Sequence, residues 1–282
     1  MDILYFDCLA GVSGEMVVGA FLDMGISADY LLRELDKLPF GQGLRASVAK
    51  TSRQGIAATQ FLLSAEEKIS RYYESGPFLT VMDTVDTCLF RPGVKRTIRN
   101  TLLRLARAQA RVHQLELEKL TVSELGGVNA VLYICAAAIC LDAVGADLAV
   151  SSPVTEGMGV VESRHGILSV PVPTTLEIMR EKGAPLQIAG ENGELITPAG
   201  AAIICEFADR FDAMPDMTVS AVGFGAGMTE LSGRANVLRL ILGKTEARHF
   251  GGSVCIIETN VETTSECFYG FRPKGRKNRM YE

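Results

Sequence analysis

The alternation of apolar and polar positions divides the chain into short strands and longer helices. Residues 3–6 form a continuous apolar run, which predicts a buried strand, and residues 16–24 are apolar enough for a packed helix. Residues 44–50 and 56–63 alternate apolar and polar side chains around a turn at Arg53-Gln54-Gly55, which is typical of an antiparallel pair. This pair either extends the sheet of the first strand or forms a small sheet of its own.

Helical and extended patterns also alternate in the second half of the chain. Residues 94–115 predict a basic helix, and residues 128–145 predict an apolar helix that ends at Gly145. Further short strands are predicted at residues 147–150, 217–227, 236–242 and 253–258. The fold class predicted from this order is α/β (α+β), with layered mixed sheets and packed helices in one or two lobes.

Breaks in the periodicity suggest four segments. Residues 1–63 would form an N-terminal lobe of strand, loop, helix and hairpin. Residues 64–93 would form a weakly structured insert or linker, because Gly-Pro and Pro-Gly pairs interrupt the pattern there. Residues 94–262 would form a helical and β core that contains a Pro-rich loop. Residues 263–282 are basic without an apolar face, which predicts a disordered tail.

The Pro-rich stretch of the core is predicted to be an ordered loop. Three prolines occur between residues 153 and 173, and proline interrupts the hydrogen-bond ladder of a sheet. The same stretch contains His165, one of three histidines in the chain. Thr174 or Thr175 would then cap a short helix that runs through Met179.

Composition restricts the function classes. The chain has 282 residues, is 48% hydrophobic and carries a net charge of −5, so we expect a globular protein and not a general nucleic-acid binder. The basic residues of the helix at 94–115 are typical of a solvated face; a phosphate or nucleic-acid contact is the weaker alternative. Seven cysteines without CxxC spacing, no apolar run of membrane-spanning length and no signal peptide predict a soluble cytoplasmic protein.

The end of the first predicted strand carries the first candidate site. Asp7 and Cys8 follow the strand, and Gly11, Ser13 and Gly14 precede the helix. A loop between a strand and a helix N-terminus can bind an anion, because free backbone N–H groups and the positive end of the helix dipole face the ligand. The spacing matches neither a Walker A loop nor a dinucleotide fingerprint. An ordinary strand–helix connection is the alternative.

A second candidate anion site follows at Thr197. This residue precedes Pro198 and a run of small residues at 199–207, which predicts an N-cap, a proline in the first helical position and a closely packed helix.

Taken together, four segments resemble one protein family. The chain resembles the LarC-type nickel insertion proteins, the pyridinium-3,5-bisthiocarboxylic acid mononucleotide nickel chelatases. The resemblance runs from residue 1 to about residue 262 and is weakest between 64 and 95. The segments that carry it are residues 6–16, 152–173, 193–200 and 222–239.

This resemblance implies a chemistry. Family members insert nickel into a thiocarboxylated pyridinium mononucleotide, which completes the nickel-pincer cofactor of lactate racemase, and they consume CTP. The implied roles fall into three groups: Asp7, Cys8 and Glu15 in catalysis; Gly11, Ser13, Gly14 and Thr197 at the mononucleotide; and His165, Glu124 and Cys8 as nickel ligands. As alternatives, Cys8 is a small buried hydrophobe and His165 a hydrogen-bonding loop residue.

The chain departs from the family pattern at one stretch. Where family members have a His-x-His-Glu run, this sequence reads Thr121-Val122-Ser123-Glu124, so only Glu124 keeps a ligand type. Glu15 also stands where Asp is usual. A degenerate, non-enzymatic paralogue that binds the nucleotide or a partner without handling metal is therefore the second hypothesis.

The end of the chain is the other departure. Family members continue past residues 257–261 into a C-terminal domain implicated in CTP use, whereas here a basic tail follows. Some members are encoded in two overlapping frames, and this chain resembles the first-frame product, whose partner would be a separately encoded C-terminal domain. A premature stop would look the same. The oligomeric state, including a homo-oligomer, stays open.

Overall fold

The computed structural model describes residues 1–39, 41–163 and 166–245, in which helices alternate with strands. The strands are β1 (Asp2–Asp7), β2 (Leu44–Arg53), β3 (Ile56–Ala65), β4 (Leu148–Ser151), β5 (Val154–Met158), β6 (Val160–Ser163), β7 (Gly166–Ser169), β8 (Leu186–Asn192), β9 (Arg210–Phe211), β10 (Thr218–Ala226) and β11 (Val237–Lys244). The helices are α1 (Gly14–Met24), α2 (Ala28–Leu35), α3 (Glu67–Glu74), α4 (Phe78–Thr87), α5 (Pro92–His113), α6 (Gly127–Val144), α7 (Pro173–Lys182) and α8 (Pro198–Phe207).

A seven-stranded mixed sheet organises the described part of the chain. Its strand order is β2-β3-β10-β11-β1-β4-β9. The first strand, β1, pairs antiparallel with β11 and parallel with β4, and β10 joins β11 antiparallel and β3 parallel. Two small sheets, parallel β5–β8 and antiparallel β6–β7, lie outside it. The α/β class with mixed sheets and packed helices is confirmed.

The helix α1 lies directly on the sheet, against β3, β10 and β11. Its close approach depends on glycines of β10, because a Cβ added at Gly225 would lie 1.8 Å from the backbone oxygen of Met16. The opposite face of the sheet carries a smaller apolar cluster, formed by Ile3, Tyr5, Val150 and Ile241.

A second helical layer covers α1. The apolar helix α6 contacts α1 and β3, and α5 packs on α6, α7 and α8. Among the described residues, α6 is the one helix long and apolar enough to cross a membrane, but 61% of that window is buried inside the structure. Because most of α6 is buried, it is a core helix of this structure. The predicted helices at 94–115 and 128–145 are confirmed.

The predicted hairpin is confirmed, and it extends the main sheet. Contacts group Met1–Glu246 into one compact unit, in which the predicted N-terminal lobe and the predicted core share that sheet. The prediction of a weakly structured segment at 64–93 is wrong, because α3 and α4 lie there. In α4 the apolar residues Phe78, Val81, Met82 and Val85 are buried, a helical spacing that the neighbouring Gly-Pro break obscured.

The Pro-rich stretch differs from its prediction as an ordered loop, because β5, β6 and β7 lie within it. No proline falls inside one of these strands: Pro153 lies between β4 and β5, and Pro171 lies between β7 and α7. The predicted caps Thr174 and Thr175 lie inside α7, which begins at Pro173. The predicted strand at 253–258, the predicted tail and His165 lie outside the described residues.

Candidate functional site

The two predicted anion sites lie side by side. The loop after β1 and the segment before α8 exchange backbone hydrogen bonds: Val12 N–H donates to Leu195 O (3.0 Å), and Thr197 N–H donates to Val12 O (3.2 Å). Gly200 in the first turn of α8 packs against the same loop, because a Cβ there would lie 2.1 Å from Val12 O. The N-termini of α1 and α8 are therefore held next to each other.

Two adjoining cavities open beside these helix ends. The larger, of about 370 Å³, lies between the β6–β7 hairpin, the end of α5, the start of α7 and the turn before α6. The smaller, of about 240 Å³, lies between the starts of α1 and α8 and the first turns of α6. Gln109, Gly126 and Pro198 line both cavities, so the two adjoin and are treated as one candidate site.

The starts of α1 and α8 supply partial positive charge to this site. Ser13 Oγ accepts a hydrogen bond from Met16 N–H (3.4 Å), and Thr197 Oγ1 accepts one from Gly200 N–H (3.1 Å). The predicted N-cap Thr197 is confirmed, and Ser13 is the N-cap of α1. Because the first N–H groups of a helix have no partner within it, these helix starts suit an anionic group placed in the smaller cavity.

Carboxylates line the rest of the site. Glu15 faces the smaller cavity, and Glu124, Glu162 and Glu194 line the larger one. Burial, followed by the negative charges of Glu156 and Glu15, raises the pKa of the Glu194 carboxyl to about 7. A carboxyl with this pKa can bind either a proton or a cation near neutral pH.

A buried carboxylate behind the cavity fixes the segment that carries Glu194. The side chain of Glu156 is fully buried, and its Oε1 accepts hydrogen bonds from the N–H groups of Gly157 (2.9 Å), Leu195 (2.6 Å) and Ile196 (3.1 Å). Its Oε2 is buried without a hydrogen-bond partner among the described residues. Burial raises the pKa of Glu156, while the three N–H donors oppose that shift. Glu156 therefore positions Glu194 and Thr197 together.

The raised pKa of Glu194 predicts a pH-dependent stability. The folded protein holds this proton more tightly than the unfolded chain does, so the stabilisation is complete below about pH 4.5 and is lost as the pH rises through about 7. The free energy of unfolding should therefore decline as the pH rises. Allowing for the partial exposure of the side chain, we expect this decline to be about 2 kcal/mol smaller in Glu194→Gln than in the wild type.

The measurement is urea unfolding of both proteins at about pH 5 and about pH 8. The exposed Glu118→Gln is the matched control and should leave the decline unchanged. An equal decline in wild type and Glu194→Gln would show that Glu194 titrates at its ordinary pKa.

The structure separates the three residues predicted for catalysis. Asp7 lies on the opposite face of the sheet from α1, where its Oδ2 accepts a hydrogen bond from Arg239 Nε (3.0 Å). Cys8 is fully buried, with its Sγ 3.6 Å from Ser151 Oγ, and burial raises the pKa of its thiol to about 12. Glu15 alone faces the cavities.

The residues predicted as metal ligands are likewise not assembled in the described residues. Glu124 lines the larger cavity, but its Oε2 accepts hydrogen bonds from the N–H and hydroxyl of Thr121 (2.6 and 3.1 Å). Across residues 1–39, 41–163 and 166–245, no three His, Cys, Asp or Glu side chains are grouped to hold a metal ion. His165 is outside these ranges, although the flanking strands β6 and β7 line the larger cavity.

Sequence reasoning missed Glu156, Glu194 and Gln109. Glu194 lies within the segment that resembles the family, three residues before Thr197, which was a signal available from the sequence. Glu156 carries no local signal, because two of its three partners, Leu195 and Ile196, lie in a different segment of the chain. Gln109 interrupts the apolar face of the basic helix, where Thr174 Oγ1 donates to its Oε1 (2.9 Å).

Comparisons with known proteins identify the family. A model of the family described as nickel insertion protein matches residues 4–272. A putative nickel insertion protein of Geotalea uraniireducens is 39% identical over 96% of this chain and 68% of its own length. The pyridinium-3,5-bisthiocarboxylic acid mononucleotide nickel insertion protein of Acetivibrio thermocellus is 35% identical over 100% of this chain and 69% of its own length. No solved structure matches significantly. The chain belongs to the nickel insertion protein family.

Proposed function

We propose that this protein inserts nickel into the pyridinium-3,5-bisthiocarboxylic acid mononucleotide at the two joined cavities. The single observation that carries the proposal is a pair of adjoining cavities that brings two helix N-termini together with the carboxylates Glu15 and Glu194. The mononucleotide has complementary parts: an anionic phosphate, a cationic ring and sulfur ligands for the metal.

Each part of the substrate has a suitable environment in this site. The phosphate would bind at the starts of α1 and α8, and the cationic ring and the arriving nickel ion near Glu194 and Glu15. Nickel is the ion transferred. Carboxylate oxygens are hard ligands and hold nickel less firmly than sulfur does, so transfer to the thiocarboxylates of the substrate is favoured.

Four finer statements rest on the family resemblance and are part of the proposal. The product would become the nickel-pincer cofactor of lactate racemase, the reaction would be of the chelatase type in the lyase class, CTP would be consumed, and the protein would act in the cytoplasm.

A second candidate function is binding of the mononucleotide without handling metal. Two observations favour it over nickel insertion: the thiol of Cys8 is buried with a pKa of about 12, and Glu124 is engaged with Thr121. The helix starts, which would bind the phosphate, are intact in this case as well.

Binding and insertion distinguish the two functions. The purified chain is titrated with the mononucleotide by calorimetry and is then assayed for nickel insertion with nickel and CTP, with and without the family C-terminal domain. We expect micromolar binding, and an insertion rate at least about tenfold lower in the double variant Glu15→Gln/Glu194→Gln, because the cation loses both carboxylates.

The exposed Glu118→Gln should insert nickel at the wild-type rate. Binding without insertion under every condition, beside an active full-length relative, would favour the second function. No binding at tens of micromolar would contradict both functions.

A further inference from the structure

A separate pocket lies on the sheet face opposite α1. Its volume is about 250 Å³. Asp7 and Arg239 pair with each other and lie two residues from Tyr5 and Ile241 on the same strands, so their side chains are on the same face of the sheet. Phe224 pairs with Arg239 and shares that face. The residues that line the pocket are Asp7, Leu9, Ala10, Ile56, Phe224, Arg234, Ala235, Val237 and Arg239. None of them lines the cavities proposed for nickel insertion.

The pocket has an excess of positive charge. Arg239 forms an ion pair with Asp7, which neutralises one of the two guanidinium groups. Arg234 has no carboxylate partner among the described residues; its Nη1 donates to Leu9 O (2.7 Å), and its Nε is buried with no hydrogen-bond partner there. Two arginines and one aspartate leave one net positive charge and unused N–H donors at Arg234.

The rest of the lining is apolar and open to solvent. The side chains of Leu9 and Ile56 are 61% and 42% exposed, and Phe224 contributes an aromatic ring beside them. Exposed apolar groups around one unpaired guanidinium match a ligand that has an apolar body and one negatively charged end. Planar guanidinium groups bind the oxygens of carboxylates and phosphates in particular, through paired N–H donors.

We propose that this pocket binds a small organic oxyanion, with its carboxylate or phosphate oxygens on Arg234 and its apolar body on Leu9, Ile56 and Phe224. The pocket is separate from the proposed nickel site, since the two have no lining residue in common.

The test is a fluorine NMR titration of the full chain with para-fluorobenzoate, and a parallel titration with para-fluorophenyl phosphate, which assigns the preferred oxyanion. We expect saturable binding of at least one probe, weakened at least about fivefold by Arg234→Gln, because the paired donors and the charge are lost. Arg234→Lys should be intermediate, since it keeps the charge but not the planar pair of donors.

Two controls make the result specific. Arg107→Gln, an exposed arginine of α5, and Glu194→Gln, in the proposed nickel site, should bind the probes as wild type does. Thermal unfolding tests whether each variant is folded. If Arg234→Gln does not fold, Arg234→Lys is compared with the wild type instead. No saturable binding of either probe, or equal affinity in the wild type and the folded Arg234 variants, would overturn the proposal.

Discussion

Glu156→Ala should lower the free energy of unfolding by about 4 kcal/mol or more. The substitution removes the acceptor of three buried N–H groups, those of Gly157, Leu195 and Ile196. An unsatisfied buried donor costs about 1–3 kcal/mol, and three of them lie within one short region. Because a domain of this size is stable by only about 5–15 kcal/mol, much of the variant would be unfolded under mild denaturing conditions.

Glu156→Gln separates the hydrogen bonds from the charge. Its amide oxygen can accept the same three N–H groups, and its amide nitrogen would occupy the position of the unpartnered Oε2. We therefore expect this variant to lose less than half as much stability as Glu156→Ala in urea unfolding. The control is Glu118→Ala, which removes the carboxylate of an exposed residue and should change stability little. Equal losses in Glu156→Ala and Glu118→Ala would contradict the assigned role.

Gly200→Ala should both destabilise the protein by about 3 kcal/mol and weaken binding of the mononucleotide. A Cβ at this position would lie 2.1 Å from Val12 O and 2.8 Å from Ser13 Cα, and a backbone cannot yield as a flexible side chain does. Relief of the clash would move the start of α8 away from the start of α1. The two helix ends would then no longer face one phosphate.

The matched control is Gly190→Ala in β8, where an added Cβ meets nothing within 4 Å. Thermal unfolding and calorimetric titration of both variants give the comparison. If Gly200→Ala binds the mononucleotide as tightly as Gly190→Ala does, the close contact of the two helix starts has no part in binding.

The predictions that succeeded depend on short-range signals. Thr197-Pro198 before α8 is a local capping pattern, and this cap formed as predicted; the Gly and Ser residues before α1 likewise indicated where that helix begins. The resemblance also assigned Ser13 and Thr197 to one mononucleotide, and this assignment did not come from the local patterns. The adjoining cavities and the carboxyl of Glu194 depend on contacts between distant segments, so no periodicity could indicate them.

The failures have equally physical causes. Asp7, Cys8 and Glu15 are close in sequence, but strand alternation turns Asp7 to one face of the sheet, and packing buries Cys8. Nearness along the chain therefore did not mean a shared site. In the Pro-rich stretch all three prolines lie outside the strands, so they leave the ladders of β5, β6 and β7 intact.

The central place of β1 bears on how the protein is made. Synthesis of β1 precedes that of both its neighbours in the sheet, β4 and β11, and β11 ends at Lys244. Until those residues have emerged, the apolar side chains of β1 lack their final cover, and such long-range pairing is slow. Until then β1 is an exposed apolar segment of the nascent chain, which makes it a natural binding site for chaperones.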